Sequence, residues 1–391
     1  MSTDPFLTAE RRALANTVRD FTTSNIADDV ADWERLGELP LSLQRQAADL
    51  GLLGIGFDES VGGSGGDAVD MTIMIEQILY AGGTGGVIAG MLTHGIATPH
   101  IADEIQRRRD TGDVAGANYL LERFVQPVLS GTAIAALGVT EPDGGSDVAQ
   151  LTTRAVRDGD DVVINGAKTY ITSATRADHV VIAARTGGAG AAGVSLIVVP
   201  TDTPGFQVTR RLDKMGWRCS DTAELSLTDV RVPAAHVLGF EQGFASLARH
   251  FVTERLTLAI TGYATGQRCL DLALAWTKER ETFGRPLATR QVVRHTLAEM
   301  HRQVDVARVY CHDVAARHAA GEDVLLPALL AKQTGVAAGE FVADRAVQLF
   351  GGAGYMTGTE VERHYRDVRI LGIGGGATEV MTDLATRLLG I

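Results

Sequence analysis

The apolar run Ala133-Ile134-Ala135-Ala136-Leu137-Gly138-Val139 leads directly into Thr140-Glu141-Pro142-Asp143-Gly144-Gly145-Ser146-Asp147. The character of the chain changes here. Before this point apolar residues recur at helical spacing; after it they come in short runs rich in Val, Ile, Leu and Thr. Pro142 stops regular hydrogen bonding, while Gly144 and Gly145 let backbone approach a ligand closely. The hydroxyls of Thr140 and Ser146 can bond a phosphate or a heterocycle. On its own, the segment could equally be a tight loop between two elements.

Downstream, a turn at Asp158-Gly159 precedes Asp161-Val162-Val163-Ile164-Asn165-Gly166, and further runs span His179 to Ala184, Val194 to Val199 and Glu224 to Val232. Gly, Pro and Asp clusters separate them. Together they predict a small antiparallel β domain over residues 132–240. Upstream, residues 1–131 read as a helical domain. Thr8 is placed to cap a helix starting at Ala9-Glu10, with Leu14, Val18 and Phe21 at helical spacing. Gly62-Gly63-Ser64-Gly65-Gly66-Asp67 looks like a phosphate loop, but no Lys-Ser/Thr follows and no clear strand precedes it. A turn between helices is the better reading. Residues 103–118, with Gln106-Arg107-Arg108-Arg109, read as a polar surface loop added to the domain.

From residue 241 to residue 391 the pattern is helical again. Val293, Leu297, Met300, Val304, Ala307, Cys311 and Val314 alternate steps of four and three, which is one apolar stripe on a long helix and suits a four-helix bundle. Cys311 lies on that stripe and reads as a core thiol. His295, His301, His312 and His318 do not share a face with carboxylates at ligand spacing. They read as solvated helix residues, and no metal site is expected.

Composition narrows the function. The 391 residues suffice for two or three domains, and 45% hydrophobic with 21% charged residues is a globular balance. A formal charge of −12 supplies no broad cationic face for nucleic acid. Cys219, Cys269 and Cys311 are too widely spaced for a disulfide framework or a metal pair. The N-terminus lacks the basic and apolar regions of a signal peptide, and no apolar run reaches membrane-spanning length. A cytoplasmic protein with neither membrane nor nucleic-acid partners is the expectation.

Three more segments join the Thr140 loop: Lys168-Thr169-Tyr170-Ile171-Thr172-Ser173, Arg280-Glu281-Thr282-Phe283-Gly284 and Gln348-Leu349-Phe350-Gly351-Gly352-Ala353-Gly354-Tyr355. As a set, they resemble the acyl-CoA dehydrogenase family of flavoproteins, from about Asp49 to Leu389. The resemblance implies an α+β fold with an N-terminal helical domain, a middle β-barrel domain and a C-terminal helical bundle. It also implies FAD, an acyl-CoA substrate, an electron-transfer flavoprotein as electron acceptor, and a homotetramer. Leu137, Val139, Thr140 and Ser146 match the loop that holds the flavin ring and pyrophosphate. Tyr170, Ile171 and Thr172 match the strand behind the isoalloxazine, where many relatives have Trp in place of Tyr170. Arg280, Phe283 and Gln291 match a segment that reaches a neighbouring subunit's flavin, and Gln348, Gly351 and Gly352 the loop for its adenosine half. Ala377 and Glu379 complete the cofactor set. Ser146, Arg255 and Gly376 match substrate-binding positions. Arg210, Arg211, Lys214 and Arg218 suit either the phosphates of coenzyme A or a solvated strand face.

One departure decides the chemistry. Ile373-Gly374-Gly375-Gly376-Ala377-Thr378-Glu379 stands where many members carry Tyr-Glu-Gly-Thr, whose Glu removes the α-proton. Counting back from Glu379, that position is Gly375. A smaller branch, the isovaleryl- and long-chain-type dehydrogenases, places its base on an earlier helix directly before an Arg, and Thr253-Glu254-Arg255-Leu256 matches that arrangement. The resemblance therefore assigns Glu254 as base. Gly375 keeps the backbone N–H that, with a flavin ribityl hydroxyl, polarises the thioester carbonyl. The alternatives are a flavin monooxygenase or oxidase on the same fold, an acyl-carrier-protein thioester as substrate, and a non-catalytic flavoprotein.

Overall fold

The computed structural model describes residues 5–391. Thr8 accepts a hydrogen bond from Arg11 N and caps α1 (Ala9–Asn25), which buries Val18 and Phe21. Helices α2 (Val30–Leu36) and α3 (Leu41–Asp49) follow. Then comes the glycine turn, where Gly65 bridges to Ile55 and Phe57. A Cβ on Gly63 would stand 2.1 Å from Phe57 O, so this residue serves close packing. Asp67 and Asp70 form a capping box for α4 (Ala68–Tyr80), and Arg11 ion-pairs with both. Helices α5 (Gly85–Met91), α6 (His94–Asp110), α7 (Val114–Leu120) and α8 (Gln126–Leu129) finish the helical third.

Residues 103–118 are not an irregular surface loop. They continue α6, turn at Thr111–Asp113 and enter α7. Glu104 and Arg108 are buried and paired at 2.7 Å, and Arg108 Nη2 donates to Ala235 O. The i, i+4 spacing of that pair was helical information hidden in a polar composition.

Seven strands form the middle sheet: β1 (Ala135–Gly138), β2 (Arg154–Asp158), β3 (Asp161–Thr172), β4 (His179–Arg185), β5 (Val194–Pro200), β6 (Phe206–Arg211) and β7 (Thr222–Pro233). The strand order is β1-β4-β2-β3-β7-β6, with β5 on the free edge of β4. Most pairs are antiparallel. Two pairs are parallel: β2 meets β4 through Arg154 opposite Arg185, and β1 runs beside β4 with Ala135 opposite His179. The strand β1 enters from the helical domain, and its partner is not its neighbour in sequence. Side chains alternate between two cores. Val180 and Ile182 of β4 join Ile164, Ile171 and Leu225 inside the sheet, while Val181 and Ala183 face helical residues such as Phe124 and Leu120.

The last third contains α9 (Gly243–Glu279), a hairpin of β8 (Glu281–Thr282) and β9 (Arg285–Pro286), α10 (Gln291–Ala319), α11 (Leu325–Phe350), α12 (Gly352–Tyr355), α13 (Glu360–Val368) and α14 (Thr378–Leu388). The apolar stripe of α10 is buried as its spacing predicts, with Cys311 in the core. Helices α9 and α11 meet through glycines. A Cβ on Gly335 would stand 2.2 Å from Ala259 O, and one on Gly339 2.4 Å from Gly262 O. Two helices that close bring the residues one turn before each glycine together.

Helix α4 packs on α9 and α10, where buried Glu76 accepts from Tyr263 and Tyr80, and His312 Nε2 lies 2.9 Å away. His312 is thus part of a polar knot, which corrects its reading as a solvated residue. No described helix is long and apolar enough to cross a membrane.

Candidate active site

Beyond β1 the chain forms the Thr140 loop, and two residues the sequence reading left without a role hold it. Glu141 is buried. It accepts from Thr152 N and Oγ1 at 2.6 Å, from Thr153 N at 2.8 Å and from Lys168 Nζ at 2.8 Å. Lys168 Nζ also donates to Val139 O, and Thr169 N to Thr140 O. These bonds pull Glu141 to about 2, although burial opposes them. At Lys168 the balance reverses: burial outweighs the pairing and brings the ammonium down to about 8. Local pattern did not mark the pair: Pro142 beside Glu141 is exposed, and Ala167 beside Lys168 is half-buried.

The loop is thereby fixed beside β3. Leu137, Val139 and Thr140 are half-buried along it, and Ser146 is exposed at its far side. On β3 a register shift between Lys168 and Ile171 puts Tyr170 in the left-handed region, with φ 60°. The ring is 69% exposed. A tyrosine held in that conformation and displayed to solvent is a candidate aromatic wall for a ligand. Thr172 is half-buried. The Ile171 side chain is in the sheet core, so only its backbone can serve a ligand.

The second group lies where α9, α11 and the loop before α14 meet. Glu254 is half-buried on α9 and has no ion pair within 4 Å among the described residues. Burial raises its carboxyl above the usual range, while Lys332 and Arg255 pull it back. Gly375 has φ 61°, and a Cβ built on it would stand 3.2 Å from Glu254 Oε1. Among the described residues, the Gly375 N–H donates to no protein acceptor. Arg255 is buried beside the Phe251 ring, and among the described residues its Nε has no hydrogen-bond partner. Gly376 O accepts from Lys332 Nζ, a residue the sequence reading missed. Leu256 and Ile260 pack inward. Ala377 and the exposed Glu379 open α14.

The third group sits at the opposite end of α9. Phe283 and Gly284 both have positive φ, forming the two-residue turn between β8 and β9. The turn thrusts Phe283 outward, leaving it 97% exposed. Arg280 and Gln291 are exposed beside it, and a groove of about 630 Å³ opens by Gln291 against Phe341 and Arg345. Gln348, Gly351 and Gly352 are exposed at the end of α11, where Phe350 stacks on Trp276. From Glu254 to the end of α9 is roughly 38 Å along the axis at 1.5 Å per residue. The second group and the third, both placed by α9, therefore cannot close on one another through that helix.

The cationic cluster is largely satisfied internally. Arg210 pairs with Glu224, Arg211 with Glu38, half-buried Lys214 donates to Thr222 Oγ1 and Ser220 O, and Arg218 Nε donates to Lys214 O. For Arg210 and Arg211 on β6 that favours the strand-face reading, while Lys214 and Arg218 lie in the loop between β6 and β7.

Three sequence profiles match: the acyl-CoA dehydrogenase N-terminal domain over residues 8–109, its middle domain over 136–230 and its C-terminal domain over 241–389. A probable acyl-CoA dehydrogenase, YngJ, of Bacillus subtilis is 35% identical over 98% of both chains. The long-chain specific mitochondrial acyl-CoA dehydrogenase of Sus scrofa is 33% identical over 97% of this chain and 86% of its own. A crystal structure of a probable acyl-CoA dehydrogenase from Mycobacterium abscessus superposes with TM-score 0.94 at 55% identity. It covers 98% of this chain and 100% of that one.

Proposed function

The chain belongs to the acyl-CoA dehydrogenase family, FAD-dependent oxidoreductases that dehydrogenate acyl-CoA across a CH–CH bond, and we propose that in this member Glu254 removes the α-proton of the thioester. The observation that carries the proposal is the 3.2 Å between Glu254 Oε1 and the point where a Cβ on Gly375 would begin. The carboxylate on α9 reaches into the place a side chain at residue 375 would occupy.

Bound FAD supplies the acceptor for the β-hydride. The chain supplies the rest. The α-proton of a thioester is weakly acidic, so its carbonyl must be polarised while the base acts. The free Gly375 N–H is the donor this chain offers to that oxygen. The Glu254 carboxyl, raised by burial, is a stronger base than a solvated one. Arg255 and Lys332 place positive charge around the developing enolate.

Exposed Tyr170, with Leu137, Val139, Thr140 and Ser146 on the pinned loop, fits the ring and pyrophosphate of one FAD. Thr172 beside it fits the edge of the ring. Arg280, Phe283, Gln291, Gln348, Gly351 and Gly352 fit the flavin of a neighbouring copy, which implies a homotetramer built on shared sites. By the family likeness, Ser146, Arg255 and Gly376 take the thioester, and Ala377 and Glu379 border the flavin. By the same family likeness, electrons leave through an electron-transfer flavoprotein.

The test is anaerobic reduction of the holoprotein by a panel of acyl-CoA thioesters. Bleaching of the flavin by one chain-length class in the wild type, lost in Glu254→Gln, is the expected result. No bleaching by any thioester, or equal bleaching in the variant, would overturn the assignment.

A further inference from the structure

Helix α11 buries Ala328, Leu329, Ala331, Gly335, Val336, Ala338 and Gly339 along one face, and Lys332 sits on that same face, 2% exposed. A buried ammonium is costly without a counter-charge, yet Lys332 has no carboxylate within 4 Å among the described residues. Its partners are backbone oxygens. Nζ donates to Gly374 O at 2.6 Å and to Gly376 O at 2.5 Å. The charged groups facing it are Glu254 and Arg255 of α9. On the α10 side, His318 is engaged with Thr253 Oγ1.

The two carbonyls flank Gly375, and one of them fixes its amide. Gly374 C=O and Gly375 N–H belong to the same planar trans peptide and point in opposite directions. Holding the oxygen aims the hydrogen. Gly375 has no side chain, and a three-glycine segment has many conformations to lose, so nothing in the segment itself sets that direction. A cation on the carbonyl also draws electron density from the peptide, which strengthens its N–H as a donor.

We propose that Lys332 is a positioning residue that aims and strengthens the Gly375 N–H from the far side of its peptide plane. The inference rests on the reading of Gly375 and Glu254 as the reacting centre.

The experiment reads carbonyl polarisation directly. A 13C-carbonyl-labelled trans-2-enoyl-CoA, of the chain length that best bleaches wild type, is bound to oxidised holoprotein and followed by infrared difference spectroscopy. Wild type should lower the carbonyl frequency relative to free ligand. Lys332→Met should bind the thioester with that lowering largely lost, and reduce its flavin at least about tenfold more slowly with little change in KM. Lys332→Gln keeps one donor and should lie between; it also carries the test if the Met variant does not fold. A full wild-type shift in either variant overturns the proposal. If wild type binds the thioester with no shift, the assignment of the Gly375 amide fails instead.

Discussion

Glu254 Oε1 and Gly375 stand in a fixed relation: a Cβ on the glycine would lie 3.2 Å from the carboxylate oxygen. The two residues are more than a hundred positions apart, and close packing of α9 on α11 brings them together. One position lacks a side chain, and the other sets a carboxylate at the edge of that space, beside Leu258 Cδ1. Neither fact has much force alone. Their juxtaposition is why the loss of Glu at residue 375 reads as relocation of the base and not as its disappearance.

Glu254→Gln separates chemistry from fold. The variant should bind FAD and thioester yet reduce its flavin at least ~10²-fold more slowly. It should also be more stable than wild type at neutral pH, because burial holds the Glu254 carboxyl above its unfolded value near 4.5. A raised carboxyl costs stability once it is ionised in the folded protein. That cost is absent below about 4.5 and complete above the raised value. Thermal melts across this window should converge at low pH and separate as pH rises. A less stable variant at pH 7 would show that Glu254 is held by partners and not strained by burial.

Moving the carboxylate to the commoner family position needs room. Gly375 has φ 61°, and a Cβ there would approach Leu258 Cδ1 to 2.3 Å. Gly375→Glu with Glu254→Gly should therefore lose ~1–3 kcal/mol from backbone strain alone and recover little flavin reduction. Adding Leu258→Ala should restore some of it with an altered chain-length preference. Ready recovery in the double variant would mean that Leu258 yields easily.

Glu141→Gln tests the pin beneath the Thr140 loop. It leaves the Lys168 ammonium buried without its counter-charge, a loss of ~3–5 kcal/mol. The folded carboxyl is near 2 against an ordinary 4.5, so its stabilisation is complete above about 4.5 and is lost as pH falls through about 2. The gap in denaturant stability between wild type and variant should close over that range. FAD content should fall as well, since Val139 and Thr140 are held through the same bonds. A constant gap at all pH values would point to packing and not to charge.

Sequence patterns reached some features and not others for identifiable reasons. The helix cap at Thr8, the stripe through Cys311 and the β runs after Asp161 rest on local periodicity, which a sequence displays directly. The strands β2 and β6 each bury a single residue, Ala155 and Phe206, and their exposed remainder, arginines included, dilutes the apolar signal. The parallel pairing of β1 with β4 depends on a contact between distant segments. Glu254 could be proposed as the base because, set against the family pattern, a missing carboxylate and a Glu-Arg pair both stand in the chain. Lys332 could not be assigned, although it was the lone charge on an apolar helix face. Its partners are backbone carbonyls, and these carry no sequence mark.

The distance along α9 yields the last prediction. Glu254 and Arg280 are separated by roughly 38 Å of helix at 1.5 Å per residue, and Phe283 is 97% exposed on a strained turn next to Arg280. If Arg280 and Phe283 serve the flavin of a neighbouring copy, each site combines Glu254 from one chain with Arg280 from another. Arg280→Ala alone should purify with much less FAD, as a charge-assisted bond to phosphate contributes ~1.5–3 kcal/mol. Phe283→Ala should weaken FAD binding without lowering the melting temperature of the apoprotein, because the ring contacts little within its own chain. Mixing is the sharper measurement. Glu254→Gln and Arg280→Ala chains, each inactive alone, are co-expressed with different tags and purified through both. In a mixed oligomer some sites then pair an intact Glu254 with an intact Arg280, and flavin reduction should return to a substantial fraction of wild type. A mixed oligomer as inactive as its parents would place both residues in the site of a single chain, and the shared-site reading would be wrong.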